Sequence, residues 1–243
     1  MGILSETSLL SFEVADCCNL MKEHNKCPIN HRKYKYSEFC LDEDIIVDTL
    51  RTAIQLGFTG LVAFHYYNEP LLKRELIMNV IEHVPEGRFL LWTNALLLDR
   101  NVKNNEFLRK FSQVNITCYN FSDLPFFQAL KEYYGNIEIF DWELDDRLQI
   151  YEKTIINNLS CKRPLFELPI DYHGNIHLCC MDWNNDYEIG NIFIEGFESI
   201  VMGEKYQKLI SSCKSRLNIT YCPNICKTCD KMWVSYPKYY KDV

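Results

Sequence analysis

Residues 41–65, LDEDIIVDTLRTAIQLGFTGLVAFH, carry the clearest structural signal in the chain. Apolar residues recur at helical spacing over Leu41–Leu56, acidic residues occupy the first turn, and Gly57 stands just past the end, as in a capped helix. The apolar run Gly60–His65 that follows predicts a buried strand. A helix that leads directly into a buried strand is part of a β-α-β unit, so we predict an α/β fold with a parallel sheet.

The same alternation extends along the chain in both directions. A short strand is predicted at Leu10–Ala15. Further strands are predicted at Phe89–Thr93, Gln113–Tyr119 and Asn136–Phe140, and helices at Leu72–Val84, near Asn105–Phe111 and near Pro125–Tyr134. Strands and helices at this interval form right-handed β-α-β units, whose parallel strands end at a common edge.

Beyond about residue 145 the pattern changes. Leu165–Ile170 and Ile176–Cys180 predict a β-hairpin around the turn Tyr172–Asn175, and a helix is expected near Phe197–Ser212. We predict two domains, 1–145 and 146–243, that pack directly on each other because no flexible linker separates them.

Charge and composition exclude several classes of protein. The 243 residues include 26 Lys and Arg against 33 Asp and Glu, a net charge of −7, so there is no basic field to hold a nucleic-acid backbone. No apolar run approaches the roughly 18 residues of a membrane span, and the start lacks the features of an export signal. We expect a cytoplasmic protein without a membrane or nucleic-acid partner.

Twelve cysteines form the second strong signal. Without an export signal, clustered cysteines in a chain of this length are more often metal ligands or catalytic groups than disulfides. Gly174 lies between Cys161 and Cys179 and would let the backbone turn so that both thiols face one point. A C-x-x-C pair, Cys226 and Cys229, begins 47 residues after the second of these thiols. Two such pairs suit zinc or an iron–sulfur cluster, and spacing alone does not choose between them.

Four other cysteines are not assigned as primary ligands. Cys222 is a possible substitute for one ligand. Cys180 should point to the opposite face of its predicted strand from Cys179. Cys118 and Cys213 are expected to be buried thiols.

Polar and sulfur-bearing residues follow the predicted strands, at the edge where parallel sheets bind ligands. They are Asp16, Cys17, Cys18 and Cys27 after the first strand, His65, Tyr66, Tyr67, Asn68 and Glu69 after the second, Thr93 and Asn94 after the third, and Asn120 and Ser122 after the fourth. Glu69 alone could be a helix-initiating acid before Pro70. The convergence of so many such groups on one edge favours a ligand site.

These motifs resemble those of radical S-adenosylmethionine (SAM) enzymes with a C-terminal auxiliary-cluster region of the SPASM or Twitch type. The resemblance covers about residues 10–233. In the N-terminal part it rests on Glu13-Val14 leading into Cys18-Asn19 and Cys27-Pro28, on Tyr67-Asn68-Glu69-Pro70-Leu71-Leu72 where the family has Gly-Gly-Glu-Pro, and on Thr93-Asn94. In the C-terminal part it rests on Cys161, Gly174-x4-Cys179, Asp182-Trp183, Ile189-Gly190-Asn191 and Cys226-x-x-Cys229. It implies a partial (β/α)6-type barrel with a parallel sheet, followed by a small β-hairpin and helix region. With four candidate auxiliary ligands, that region is more similar to the single-cluster Twitch form than to the two-cluster SPASM form.

The resemblance also implies cofactors and partners. One [4Fe–4S] cluster would bind SAM, and an auxiliary cluster would lie on Cys161, Cys179, Cys226 and Cys229. An electron from the first cluster would cleave SAM to methionine and a 5′-deoxyadenosyl radical, which would take a hydrogen atom from a sugar, cyclitol or peptide substrate. A flavodoxin or ferredoxin would be the electron donor. The auxiliary cluster would accept the electron left on an oxidised substrate or brace the site.

Five residues would contact SAM if the resemblance holds. Glu69 would accept a hydrogen bond from the methionine ammonium, and Thr93 and Asn94 would bond the ribose or the carboxylate. Tyr67 and Asn68 would lie close to the cofactor.

The first cluster motif departs from the family's C-x3-C-x2-C pattern. The loop from Cys18 to Cys27 is two residues longer, and His24 stands where the middle cysteine is expected. We predict Cys18 and Cys27 as ligands, with Cys17 ahead of His24 for the third place and Cys40 as a further substitute. Two alternative functions remain: a degenerate relative that binds a metal or protein partner without cleaving SAM, and a zinc-binding α/β module.

Overall fold

The computed structural model describes residues 2–24, 26–32, 40–141, 161–215 and 223–229. The strands are β1 Leu9–Phe12, β2 Leu61–Ala63, β3 Arg88–Thr93, β4 Gln113–Cys118, β5 Ile137–Asp141, β6 Glu167–Ile170, β7 Asn175–Ile176 and β8 Gly190–Asn191. The α-helices are α1 Glu43–Gln55, α2 Arg74–His83, α3 Leu124–Tyr134, α4 Arg163–Phe166, α5 Ile192–Glu195, α6 Phe197–Met202, α7 Glu204–Ser215 and α8 Asn224–Thr228. Short 3₁₀ helices lie at Pro28–Asn30, Pro70–Lys73, Val102–Lys110 and Phe121–Asp123.

All eight strands join one sheet in the order β5-β4-β3-β2-β1-β6-β7-β8. The strands from β5 to β6 run parallel, and β7 and β8 continue the sheet antiparallel. The predicted α/β class with a mainly parallel sheet is confirmed. Because β6 pairs directly with β1, with Phe12 opposite Ile170, the sheet is continuous across the predicted domain boundary.

The two faces of the parallel sheet differ in what covers them. Side chains alternate along a strand, so Leu10 and Phe12 face the helices while Leu9 faces the other way. The helix-covered face forms the main core. The second face holds a small cluster to which no helix residue of the described chain belongs: Leu9, Leu61, Ala63 and Leu90, with Trp92 packed against it. We call this second face the inner face; its four cluster residues are buried, with at most 3% of each exposed.

The helix α1 ends and begins as the sequence predicts. The Asp42 side chain accepts a hydrogen bond of 2.9 Å from the Asp44 N–H, and Gly57 follows with a φ of 95°, where a side chain would be strained.

Among the described helices, none combines the length and apolarity needed to span a membrane.

Three local predictions need correction. The segment near Asn105–Phe111 is a 3₁₀ helix, because Asn105 leaves helical geometry and donates its side-chain amide to the Asp99 carbonyl at 2.9 Å. The single helix near Phe197–Ser212 is two helices, since Gly203 stands in extended geometry between α6 and α7. The strand expected to reach Cys180 ends at Ile176 and gives way to turns, so the opposite-face argument for Cys180 fails.

Candidate cofactor and cluster site

The loops that follow β1, β2 and β3 meet at one edge of the sheet. The Glu69 N–H donates to the Cys17 carbonyl at 2.9 Å, which ties the second loop to the first. The Asn94 side-chain amide donates to the Asn19 Oδ1 at 2.7 Å, which ties the third loop to the same place. The structure thus brings the first cysteine motif, Glu69 and Asn94 together, as expected for the carboxyl ends of neighbouring parallel strands.

The Glu69 carboxylate is the most heavily bonded group at this edge. Its side chain is buried, with 2% of the residue exposed. Oε1 accepts hydrogen bonds from Thr93 Oγ1 at 2.5 Å and the Leu71 N–H at 3.1 Å, and Oε2 accepts one from the Asn94 N–H at 2.9 Å. A carboxylate has about four acceptor positions, so these three donors leave one on Oε2.

Burial makes this carboxylate receptive to a cation. It raises the pKa of Glu69 above its usual value, although the bonds from Thr93, Asn94 and Leu71 work in the opposite direction. A cationic ligand at the remaining acceptor position would stabilise the ionised form. The geometry therefore suits the ammonium contact expected of Glu69, and it gives Thr93 and the Asn94 backbone a second task, which is to orient that carboxylate.

Asn68 and Tyr67 hold their own loop in place. The Asn68 side chain accepts from the Tyr66 N–H and donates to the Phe64 carbonyl, each at 3.0 Å. The Tyr67 N–H donates to Glu13 Oε1 at 3.2 Å, and its hydroxyl donates to the Cys180 carbonyl. These contacts shape the loop around Glu69, while the expected contacts with SAM stay predictions.

A buried ion pair joins the two ends of the segment that carries the first cysteine motif. Arg32 makes a bidentate contact with Glu13, with nitrogen–oxygen distances of 2.7 and 2.5 Å. The guanidinium also lies 4.5 Å from the ring centre of Tyr67 and 5.5 Å from that of Tyr66. This pair joins the segment after Cys27 to the end of the first strand, and no local sequence pattern indicates it because its partners are 19 residues apart.

The adjacent thiols of Cys17 and Cys18 have different neighbours. Burial, with smaller contributions from the nearby Glu69, Cys27 and Cys17, raises the pKa of Cys18 to about 12, against a hydrogen bond from the Leu20 N–H that lowers it. Burial also raises the pKa of Cys17, whose main electrostatic neighbours are Lys73 and Cys40. The thiols of Cys18 and Cys27 therefore share surroundings with Glu69, as two ligands beside a bound SAM should.

The substitute ligands lie around this loop. The His24 ring packs against Tyr119 with ring centres 5.5 Å apart, and the His24 carbonyl accepts from the Cys27 N–H at 3.1 Å. Cys40 pairs with Ala15 in an isolated antiparallel bridge. Within the described ranges, no three His, Cys, Asp or Glu side chains converge closely enough to hold a metal ion. The third ligand therefore stays a prediction.

Three of the C-terminal thiols, those of Cys161, Cys179 and Cys180, lie near the buried cation of Arg163. The Arg163 N–H donates to Cys161 Sγ at 3.4 Å, and its side chain donates to Cys180 Sγ at 2.6 Å. Cys179 and Cys229 are each 8% exposed. Burial raises the pKa of Cys179 well above its usual value, so this thiol is neutral until a metal displaces the proton. A buried guanidinium among thiols fits a group that carries thiolate charge, as an iron–sulfur cluster does.

The remaining candidate ligands lie near α8. Cys226 and Cys213 are both electrostatic neighbours of Tyr187, whose pKa is raised mainly by burial. Cys222 lies outside the described residues. The assignment of Cys161, Cys179, Cys226 and Cys229 as one ligand set stays a prediction.

A hydrogen-bonded hairpin shapes the loop that carries Cys179. Asp171 Oδ2 lies 2.9 Å from His177 Nε2, and the Asp182 carbonyl lies 2.9 Å from His177 Nδ1. Both ring nitrogens face acceptors, an arrangement that favours the cationic imidazole. Burial alone would lower the pKa of His177, but the bond and charge of Asp171 raise it. Gly174, with a φ of 80°, permits the turn between them.

Tyr66 connects the two halves of the site. Its hydroxyl lies 3.1 Å from the Cys179 carbonyl and 3.3 Å from the Asp182 carbonyl, so it donates to both. With Tyr67 bonded to Cys180, two neighbouring residues from the loop of Glu69 hold the loop of the predicted auxiliary ligands. The sequence places both tyrosines at the strand end, but their partners more than 100 residues away became visible only in the fold.

Replacing Tyr66 with phenylalanine is expected to lower the free energy of unfolding by about 0.5–1.5 kcal/mol, because the buried hydroxyl that bonds the Cys179 and Asp182 carbonyls is lost while each carbonyl keeps a backbone N–H donor. Urea denaturation of the full chain measures this. Tyr133→Phe is the matched control, since Tyr133 is 40% exposed and its hydroxyl lies 3.4 Å from Glu106. Equal losses in the two variants would show that Tyr66 does not join the two loops.

Comparison with known proteins agrees with this geometry. Residues 161–230 match the SPASM family of iron–sulfur cluster-binding domains. The chain is 24% identical, over 246 residues and 96% of each protein, to the SAM-dependent 2-deoxy-scyllo-inosamine dehydrogenase of Niallia circulans. Its fold is similar to that of BtrN in complex with AdoMet and 2-DOIA, with a TM-score of 0.68 and 23% identity over 86% of this chain and 87% of that one. It is also similar to anSMEcpe with bound AdoMet and the Cp18Cys peptide, with a TM-score of 0.57 and 13% identity over 85% and 83% of the two chains.

These comparisons confirm the resemblance predicted from the motifs, to SAM-dependent radical enzymes of α/β fold with a C-terminal iron–sulfur region. Along nearly its whole length the chain is similar to the 2-deoxy-scyllo-inosamine dehydrogenase. SAM and iron–sulfur clusters, the predicted cofactors, agree with both findings.

Proposed function

We propose that this chain is a radical SAM dehydrogenase that takes a hydrogen atom from a carbon of a small polyhydroxylated substrate, a cyclitol or sugar. The observation that carries the proposal is the buried Glu69 carboxylate, which shares the edge of the sheet with Cys18 and keeps one acceptor position. The dehydrogenase name of the relative supports the reaction type.

The chain's own residues bind and orient the cofactor. Cys18 and Cys27 would hold the first cluster, which when bound to SAM supplies the electron that yields methionine and the 5′-deoxyadenosyl radical. Glu69 would hold the methionine ammonium through Oε2, while Thr93 fixes the carboxylate through Oε1. The Asn94 amide, already bonded to Asn19, would present its remaining hydrogen-bonding capacity to the ribose or the carboxylate.

The inner face of the sheet suits a small polar substrate. Trp92 Nε1 donates to Thr117 Oγ1 at 2.9 Å, and the Trp92 ring lies 5.4 Å from the rings of both His65 and Phe140. Asn115 is fully buried and accepts from Gln113, but its own Nδ2 has no hydrogen-bond partner among the described residues. Aromatic walls with a few placed hydroxyl and amide groups are typical of small-molecule sites.

The proposed dehydrogenation balances with an auxiliary acceptor. The hydrogen atom of a C–H bond next to a hydroxyl passes to the 5′ carbon and gives 5′-deoxyadenosine. The substrate radical then loses the hydroxyl proton and one electron to form a carbonyl. The auxiliary cluster on Cys161, Cys179, Cys226 and Cys229 would accept that electron and pass it on to an oxidised flavodoxin or ferredoxin. The reduced form of that partner would supply the one electron that each SAM cleavage consumes, so a turnover would be electron-neutral overall.

Anaerobic reconstitution with iron and sulfide tests the cofactor content. Two [4Fe–4S] clusters correspond to about eight irons and eight sulfides per chain, with a broad visible absorption band. About four of each, all lost with the C-terminal ligands, would instead indicate the degenerate relative. A colourless protein that holds zinc would indicate the zinc-binding module.

A substrate deuterated at the reacting carbon tests the substrate class. Cyclitols and sugars are expected to increase 5′-deoxyadenosine formation and to transfer deuterium into it. Deuterium transfer from a peptide, and from no cyclitol or sugar, would contradict the proposed substrate class in favour of the peptide substrates expected as the alternative.

The third ligand of the first cluster can be found by three substitutions. Cys17→Ser is expected to lose the first cluster and 5′-deoxyadenosine formation, whereas His24→Ala and Cys40→Ser should keep both, because three thiolates suffice to hold a low-potential cluster. Iron content and product analysis measure this, with Cys118→Ser as a control on a buried thiol. If all three test variants keep wild-type activity, the ligand assignment is wrong.

A further inference from the structure

We infer that Arg163 sets the reduction potential of the auxiliary cluster, as a buried cation that makes the cluster a better electron acceptor. The inference rests on the proposed function, in which that cluster takes an electron from the substrate. Arg163 is a positioning residue in this account, because it acts through the cluster and touches neither substrate nor SAM.

The Arg163 guanidinium is buried and lies against the sulfur of Cys180. Only 6% of Arg163 is exposed, so the side chain is not available to an incoming substrate. Nη1 donates to Cys180 Sγ at 2.6 Å, and the Arg163 backbone N–H donates to Cys161 Sγ at 3.4 Å. Cys179 is a further electrostatic neighbour.

Glu167 forms an ion pair with this cation but lies farther from it than the Cys180 sulfur does. Glu167 Oε1 lies 3.7 Å from Arg163 Nη1, which is longer than a hydrogen bond. The same oxygen accepts a hydrogen bond of 2.7 Å from the Cys180 N–H, which holds the carboxylate in place. The guanidinium therefore sits closer to the Cys180 sulfur than to its carboxylate partner.

Stability does not explain why such a cation is buried here. Replacing a buried ion pair with apolar residues is often neutral or stabilising, so the pair is weak evidence for a stabilising role. Positive charge and hydrogen bonds near an iron–sulfur cluster favour its reduced state, because reduction adds negative charge in surroundings of low dielectric constant. The Arg163 guanidinium bonds Cys180, the chain neighbour of the predicted ligand Cys179, and the Arg163 backbone N–H bonds the predicted ligand Cys161, so the cation lies beside the predicted cluster position.

A potentiometric titration followed by electron paramagnetic resonance tests the inference. The full chain with Cys18→Ala and Cys27→Ala serves as background, so that only the auxiliary cluster contributes a signal. Arg163→Gln in this background is expected to lower the potential by about 59 mV or more, which is tenfold in the equilibrium constant of a one-electron couple. Arg163→Lys should lower the potential less than Arg163→Gln does, because lysine keeps the positive charge.

Lys162→Gln is the matched control. It removes the same charge one residue away, at a half-buried position, and should leave the potential close to that of the background. If Arg163→Gln does not assemble a cluster, the double variant Arg163→Gln with Glu167→Gln removes both charges, and a smaller fall in potential is still expected.

The outcomes separate this inference from the proposed function. An unchanged potential in Arg163→Gln, or in the double variant where the single one does not assemble, overturns the role of Arg163 and leaves the dehydrogenase proposal standing. An equal fall in Lys162→Gln overturns it as well, because the effect would then be one of general charge. A background protein that holds no auxiliary cluster contradicts the proposed function itself.

Discussion

Cys179→Ala is expected to remove about half of the iron from the reconstituted protein, because a fully ligated [4Fe–4S] cluster needs one thiolate for each of its four irons. Cys229→Ala should have the same effect, since both thiols are buried in the region that matches the SPASM family. The C-terminal region should also unfold more easily, because metal binding contributes directly to the stability of a cluster domain. Iron analysis and thermal unfolding of the two variants measure this.

Cys118→Ala is the control for these variants. Cys118 is a buried cysteine of β4, on the helix-covered face of the sheet, and its thiol donates to the Asn120 carbonyl at 3.2 Å. The control should keep all of its iron while losing a little stability. Full iron in both Cys179→Ala and Cys229→Ala would show that the auxiliary ligands are other cysteines.

Glu69→Gln is expected to weaken SAM binding by roughly 10- to 150-fold, which corresponds to the 1.5–3 kcal/mol of a hydrogen bond to a charged group. The structure adds a second effect that the motif alone does not indicate. Glu69 accepts bonds at both oxygens, so a glutamine NH₂ would face the donor of Asn94 or Thr93. We therefore expect some loss of stability beside the loss of affinity. Isothermal titration with SAM and urea denaturation separate the two.

Glu75→Gln is the matched control for the charge change. Glu75 lies exposed in the first turn of α2, six residues from Glu69, and should leave SAM affinity unchanged. Thr93→Val removes a bond to the carboxylate without changing any charge and should weaken affinity less than Glu69→Gln. Wild-type affinity in Glu69→Gln would mean that this carboxylate does not hold the ammonium.

Much of the fold could be predicted because its signals are local. The spacing of apolar residues and the cap at Asp42 define α1, and the apolar runs define the central strands. One error arose where a contact between separate elements replaces a local preference. Cys180 is pinned by Glu167 and by the Tyr67 hydroxyl, and these bonds turn the chain where alternation predicts a strand.

The candidate site, like the fold, has features that could be predicted from the sequence and features that could not. The positions of Cys18, Glu69 and Thr93 follow from the rule that ligands bind at the ends of parallel strands. The bonds that orient them do not follow, because they join residues far apart in sequence. The buried pair of Arg32 with Glu13 and the guanidinium of Arg163 among thiols carry no local sequence pattern, and only the folded chain shows them.

The formation of 5′-deoxyadenosine tests the central claim most directly. Wild-type protein, reconstituted anaerobically and reduced with dithionite, is incubated with SAM, and 5′-deoxyadenosine and methionine are quantified by mass spectrometry. We expect both products in equal amounts, and neither from Cys18→Ala or Cys27→Ala. A wild-type protein that carries both clusters and yet forms no 5′-deoxyadenosine with any strong reductant would contradict the account.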